Sequence, residues 1–255
     1  MEKGLAHFIV LGDTQRTSTL EKVFLKRESN DLEREYLFQA IARETPDFVV
    51  IVGDLVCNGY LKNEWSFFEK LAAGLRGSKI PIFPARGNHD ANIEKYFKEF
   101  ESASWFSRQI NSVGLVWLDT TIRCKAQVEW FGKTLQNLDA SSEIKHILTF
   151  AHHPPFTAGP VVAPSRYVKK SFVPAFQASR KTRAFISGHN HGFEKFELGG
   201  KHFIVTGGGG GPRHSSTLFP FHYLKIFEKN QKLHVEVLGL QKGERSVKSI
   251  SAFSI

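Results

Sequence analysis

Short apolar runs that stop at a glycine followed by a polar residue recur along the chain. Phe8–Leu11 stops at Gly12-Asp13, Phe48–Val52 at Gly53-Asp54, and Ile80–Phe83 leads to Gly87-Asn88-His89-Asp90. A run that is apolar at every position fits a parallel strand buried on both faces, so each of these strands should deliver a polar side chain at its carboxyl end. Between them the apolar positions change to helical spacing. Leu32, Tyr36, Leu37, Ala40 and Ile41 follow a cap at Asn30 or Asp31, and Trp65, Phe68, Leu71, Ala72 and Leu75 share one face of a helix over 64–75.

The second half repeats the theme with Gly114–Leu118, a helix over 126–138, Ile144–Phe150 before His152-His153, and Ala184–Ile186 before Gly188-His189-Asn190-His191. From 202 onward the pattern is strand-rich and reads as antiparallel: His202–Thr206, Phe221–Phe227 and Leu233–Leu238, with a hairpin turn at Glu228–Gln231. Strand and helix in alternation, then a β meander, predict an α/β fold of two mixed β-sheets packed as a sandwich and flanked by helices. Sites in open α/β sheets form beyond the carboxyl ends of strands. The runs GDTQ, GDLVCNG, GNHD, HHPP and GHNH all fall at such ends and should converge.

Composition narrows the class without naming an activity. With 255 residues, 41% hydrophobic and 23% charged, the chain is expected to fold as a single domain over 1–255. Its net charge of +9 favours anionic partners, yet Lys and Arg are scattered, so nucleic acid is a minor expectation beside a phosphorylated substrate. Only Cys57 and Cys124 are present, which excludes a disulfide framework or a thiolate metal site. No signal-type segment or membrane-spanning run is evident, and a cytoplasmic location is the expectation.

The polar strand ends supply Asp13, Gln15, Asp54, Asn88, His152, His189 and His191, a set of oxygen and imidazole donors suited to manganese, iron or zinc. Seven donors exceed one tetrahedral ion but fill two adjacent sites if Asp54 bridges. Two ions would retain positive charge for a phosphate oxyanion and make a nucleophile of bound water near neutral pH. A leaving oxygen then needs a proton, which His89 could supply, with Asp90 orienting His89 or raising its pKa.

Asp13-x-Gln15, Gly53-Asp54, Gly87-Asn88-His89-Asp90, His152 and Gly188-His189-x-His191, in this order, resemble the signature of the calcineurin-like metallophosphoesterase superfamily. The resemblance implies a two-sheet sandwich flanked by helices and hydrolysis of a phosphate ester by a metal-bridging hydroxide. It implies one ion on Asp13, Gln15, Asp54 and His191, a second on Asp54, Asn88, His152 and His189, and His89 as leaving-group acid and phosphate contact. The usual first motif of that family is Asp-x-His, and Gln15 replaces its imidazole by a neutral amide, as in some nucleotide diphosphatases of the family. Cys57 stands where purple acid phosphatases place a ligand tyrosine, so a ferric-tyrosinate centre is not expected.

Other residues carry weaker readings. His153 reads as support for the Pro154-Pro155 turn or as a hydrogen-bond partner of His152; Arg86 and Arg213 could reach a substrate phosphate; Asn58 could brace the second motif; Asp119 starts a turn. His7, His146, His202, His214, His222 and His234 lie outside every motif and read as strand or surface histidines. The five glycines at Gly207–Gly211 have no rationale in the pattern. A nucleotide diphosphatase or a phosphodiesterase or nuclease is the alternative activity, and a binding module that has lost catalysis is the alternative class.

Overall fold

The computed structural model describes residues 7–100, 103–159, 162–212 and 219–255; Arg213 and His214 lie outside them. The first sheet has the order β12-β11-β10-β1-β2-β3. Its strands are β1 Phe8–Leu11, β2 Val49–Ile51, β3 Ile82–Pro84, β10 Phe221–Lys229, β11 Lys232–Leu240 and β12 Lys248–Ser254. The second has the order β4-β5-β6-β7-β9-β8, from β4 Phe106–Ile110, β5 Val113–Trp117, β6 His146–Ala151, β7 Thr182–Ser187, β8 Phe193–Leu198 and β9 Lys201–Thr206.

Alternation along the strands divides the core into three parts. Phe8, Val10, Val50 and Val52 point inward and meet Leu115, Trp117, Phe150 and Ile186 between the sheets. Ile9, Leu11, Val49 and Ile51 point the other way, onto Leu37 and Ile41 of α2 (Asp31–Glu44) and Trp65 and Phe68 of α3 (Lys62–Leu71). Val116, Ile147, Phe185 and Phe203 pack in turn on α5 (Lys125–Ala140), α6 (Arg166–Ser171) and α7 (Val173–Ala178). The predicted layering of helix, sheet, sheet and helix is therefore present.

Several elements differ from the pattern's forecast. The helix over 64–75 breaks at Ala72 into α3 and α4 (Ala73–Gly77). A short α1, Thr19–Phe24, occupies the expected loop; its Ser18–Glu21 capping box sets its start, and it buries no residue. Asn30 stands at the N-cap of α2 but makes no side-chain cap bond; its Nδ2 donates instead to Gly211 O at 3.0 Å. The strand over 202–206, grouped with the antiparallel end by sequence, is β9 and runs parallel to β7. The hairpin between β10 and β11 turns at Asn230 and Gln231, both with positive φ, as a two-residue turn of this hand requires.

Three histidines outside the strand-end runs have their pKa lowered, with burial as the main cause: His7, just before β1, and His146 and His202 within strands. His146 is buried at the start of β6, and Arg183 Nε donates to its Nδ1 at 3.3 Å, which adds a second reason for the neutral ring. The unfolded chain takes up protons at these rings near pH 6.5, the folded chain only below that. The stability these rings contribute is thus full above this window and declines as pH falls through it. The melting temperature should drop between neutral pH and about pH 5.5, and His146→Leu should shrink the drop; an unchanged pH profile in the variant would refute this account.

Candidate metal centre

All five polar runs leave their strands at one end of the sandwich: Asp13 and Gln15 after β1, Asp54 after β2, Asn88 after β3, His152 after β6, and His189 and His191 after β7. Asp13, Asp54 and His189 have φ of 59, 53 and 69°. Left-handed backbone costs a residue with a Cβ about 1–2 kcal/mol, and here it turns each side chain back over the strand ends. Backbone bonds hold the turns in place, with Asp13 N donating to Gly53 O and Gln15 N to Asp54 O, both at 3.0 Å.

Glycines let the turns touch. A Cβ on Gly53 would lie 2.5 Å from the His152 ring and 2.9 Å from Gly87 Cα, and one on Gly87 would land on the Asp54 nitrogen and Oδ1. The run at Gly207–Gly211 also finds its reason here. Gly209 N donates to Gly12 O at 2.8 Å and Gly211 N to Asp13 O at 2.7 Å, so the run lies flat against the first motif, where side chains would collide with Asp13, Gln15 and Asn190.

The buried Asp54 carboxylate divides its oxygens. Oδ1 accepts the His89 backbone N–H at 3.0 Å, while Oδ2 lies 3.4 Å from His152 Nε2. On one side His191 Nε2 is 3.4 Å from Asp13 Oδ1. The Gln15 amide satisfies its surroundings when Nε2 donates to the backbone carbonyls of Asp54 at 2.9 Å and Asp13 at 3.3 Å. Oε1 is thereby turned toward His191 Nε2 at 3.4 Å and Asp54 Oδ2 at 3.5 Å. On the other side His152 Nε2 lies 2.9 Å from Asn88 Oδ1 and 3.0 Å from His189 Nδ1.

This donor set fits a pair of cations. Asp13, Asp54 and His152 each offer an atom within 4.8 Å of the others, all three buried. An amide oxygen facing a carboxylate oxygen is repulsive unless a cation lies between them. The outer ring nitrogens are already fixed: His152 Nδ1 donates to Val52 O at 3.0 Å and His191 Nδ1 to Pro212 O. In its neutral form each ring thus turns an Nε2 lone pair inward, as metal ligation requires.

Electrostatics in the metal-free site follow from burial and pairing. Burial pushes the Asp13 carboxyl up against the opposing pull of His191. Burial also acts upward on Asp54, but the neighbouring His152 and His89 outweigh it and hold that carboxyl below the usual range. His152 is pushed down by burial and up more strongly by Asp54, to about 9, whereas burial and the charge on His152 take His189 down to about 3. Two buried carboxylates here rely on shared protons for neutralisation, a role that divalent cations can take over.

His89 stands apart from the buried donors, with 45% of its side chain exposed and Nε2 3.9 Å from Asp54 Oδ2. Its Nδ1 donates to Cys57 O at 2.8 Å. Asp90 does not orient this ring, contrary to the sequence expectation. It is wholly buried and accepts the backbone N–H groups of Gly87 at 2.9 Å, Leu55 at 2.8 Å and Val56 at 3.3 Å, so its carboxylate ties the second motif to the third. Burial and the Asp54 charge raise it to about 7. The carbonyl that does orient His89 belongs to the backbone, and no residue type in the sequence could have announced it.

A cavity of about 510 Å³ beside His89 is lined by Cys57, Asn58, Tyr60, Arg86, Asn88 and Thr121. Arg86 pairs with Glu94 at 2.7 Å at its rim. Asn58 serves its own turn, accepting from Tyr60 N at 3.1 Å, rather than bracing Asp54. Asp119 starts a turn as expected, accepting from Thr121 N at 2.9 Å. Both cysteines are free.

Two mixed sheets with buried Asp and His donors at their strand ends define a metallophosphoesterase fold with groups able to hold metal. A sequence profile of the calcineurin-like phosphoesterases matches residues 6–193, and the chain belongs to that family. Comparison with curated protein sequences gives no match. Among solved structures it is similar to GAP50, the anchor in the inner membrane complex of Plasmodium, with TM-score 0.74, 16% identity and coverage of 99% of this chain and 89% of that one. Purple acid phosphatase PPD1 from yellow lupin seeds gives 0.75 at 15% identity, covering 98% of this chain and 53% of that one. A dimetal phosphatase from Danio rerio gives 0.70 at 14% identity, with 99% of both chains covered. These identities speak for the fold.

The glycine contacts yield a test. Gly87→Ala should leave the far-ultraviolet circular dichroism intact and remove most Mn²⁺ uptake, measured as metal per chain after gel filtration. Full metal loading in the variant would show that close packing of Gly87 on Asp54 does not govern the site.

Proposed function

We propose that this protein hydrolyses a phosphate ester with two divalent ions. One would be held by Asp13, Gln15, Asp54 and His191, the other by Asp54, Asn88, His152 and His189. The observation that carries this reading is the division of Asp54, whose Oδ1 is tied to the His89 amide while Oδ2 faces both donor groups. Ions bound there would supply Lewis-acid charge to the phosphoryl oxygens and lower the pKa of a shared water enough to attack near neutral pH.

The remaining work falls to the chain's own side chains. With Nδ1–H spent on Cys57 O, His89 presents Nε2 toward the cavity. A proton on Nε2 passes to the leaving oxygen as the phosphorus–oxygen bond breaks, and the product leaves as an alcohol. Asp90 supports this indirectly, by fixing the loop that carries Asn88 and His89. Strands β10 to β12, beyond the matched stretch, complete the first sheet, which supports reading 1–255 as one domain. The retained donors and the oriented His89 favour catalysis over the binding-module reading that a likeness to a membrane-complex anchor would suggest.

With Mn²⁺ present, wild-type protein should hydrolyse p-nitrophenyl phosphate, and Asp54→Asn should abolish this together with metal uptake. His89→Ala should slow an alkyl phosphate ester by roughly 10²–10⁴-fold, the usual range for a general acid, and p-nitrophenyl phosphate far less, because its leaving group needs no proton. If the purified protein binds no divalent metal and Asp54→Asn changes nothing, the proposal fails. A panel of monoester, diester, nucleotide pyrophosphate and single-stranded DNA would then separate phosphatase from diphosphatase and nuclease.

A further inference from the structure

Arg34 of α2 is a buried cation outside the metal centre, with only 7% of its side chain exposed. Nε donates to Thr14 O at 2.7 Å and Nη1 to Asp31 Oδ1 at 3.0 Å. Its stem is also fixed, because a Cβ on Gly210 would fall 2.1 Å from Arg34 Cγ. Nη2 has no hydrogen-bond partner among the described residues, yet it is not sealed in the core. It is left to the cavity that Arg34 lines.

This cavity, of about 490 Å³, is bordered by Arg16, by Asp31, Arg34 and Glu35 of α2, and by Phe67 and Lys70 of α3. None of the candidate metal donors lines it, nor does His89. Arg16 is held by Glu64, to whose two oxygens Nε donates at 2.9 and 3.0 Å, and its guanidinium lies 4.2 Å from the Phe67 ring centroid. Lys70 Nζ is 5.9 Å from the same centroid and makes no ion pair among the described residues.

Charge around the cavity is not balanced. Arg16 and Glu64 cancel, as do Lys70 and the exposed Glu35. The Asp31 carboxylate, however, serves both Arg34 and, at 3.8 Å, Lys22, so one positive charge is in excess. Burial pushes the Arg34 pKa down, Asp31 pulls it back, and the nearby Arg16 charge adds to the lowering. A desolvated guanidinium with N–H groups left over is stabilised most by an anion that accepts from it directly.

We propose that this cavity is an oxyanion site separate from the metal centre, in which Arg34 Nη2 and the Lys70 ammonium hold a tetrahedral oxyanion of the phosphate class beside Arg16. The guanidinium that holds the anion also holds Thr14 O, between Asp13 and Gln15. The site is thus built onto the first motif without sharing a donor with it. It does not rest on the phosphoesterase reading above, because it needs neither a metal nor hydrolysis. Inorganic phosphate is the probe.

The test is calorimetric titration of the full chain, stripped of metal with EDTA, with inorganic phosphate. Wild-type protein should bind about one phosphate per chain. Lys70→Glu should weaken binding by roughly tenfold or more, as expected when one charged hydrogen bond is lost and a like charge takes its place. Lys70 is exposed, so this variant leaves the core undisturbed. Arg34→Lys, which keeps the charge but lacks the guanidinium fork, should also weaken binding. Asp54→Asn at the metal centre should leave it unchanged, as should Lys62→Glu, which alters an exposed lysine of α3 outside the cavity. Absence of phosphate binding by the metal-free protein would overturn the proposal. So would binding that survives Lys70→Glu intact, that falls in Asp54→Asn, or that Lys62→Glu weakens as much as Lys70→Glu, since diffuse surface charge would then explain it. Phosphate binding with this pattern in a protein that shows no Mn²⁺-dependent hydrolysis would uphold the site and count against the phosphoesterase reading alone.

Discussion

Everything at this site depends on how closely the strand-end turns approach one another. Gly53 packs against the His152 ring and Gly87, and Gly87 packs against Asp54, so no Cβ fits between the turns. Donors from both sheets can share one crevice only if the turns that carry them touch. The left-handed backbone at Asp13, Asp54 and His189 then aims the side chains across a gap of a few ångströms. The strain is tolerable because each turn is tied to its neighbour, Asp13 to Gly53 and Gln15 to Asp54.

From that constraint the electrostatics follow. Side chains packed this tightly exclude water, so Asp13 and Asp54 cannot remain charged without compensation. In the metal-free protein His152 and His191 provide it, and their pKa values are raised accordingly. Backbone carbonyls at the outer nitrogens of His152 and His191 leave each inward nitrogen free to ligate once its proton is released.

Much of this was legible in the sequence because buried strands and their polar ends are strong local signals. The apolar runs of β1, β2, β5, β6 and β7 were readable, and so were all seven candidate donors, which the fold brings together. What escaped notice lacks a buried face. β8 and β12 are edge strands whose residues are mostly exposed or half-buried, and β4 is the opposite edge, so alternation is faint in all three. α1 starts at its capping box and buries nothing. The Gly207–Gly211 run, opaque as a pattern, becomes intelligible only when Asp13 and Gln15 are seen beneath it. Adjacency in sequence suggests that Asp90 serves His89, whereas three-dimensional proximity gives its carboxylate to three backbone amides.

Gln15 shows how a weaker donor can hold its place. An amide oxygen gives less electron density to a cation than an imidazole does, and in isolation the exchange would loosen the first ion. Here the same side chain uses its nitrogen to join the backbones of Asp13 and Asp54. The two strand ends that would frame the first ion are thus braced by the residue proposed to ligate it. An imidazole at this position has only one further nitrogen, and it could bridge both carbonyls only by sharing a single hydrogen. As a ligand, Gln15 would return in preorganisation what it gives up in donor strength, because its oxygen would need no ordering on cation binding.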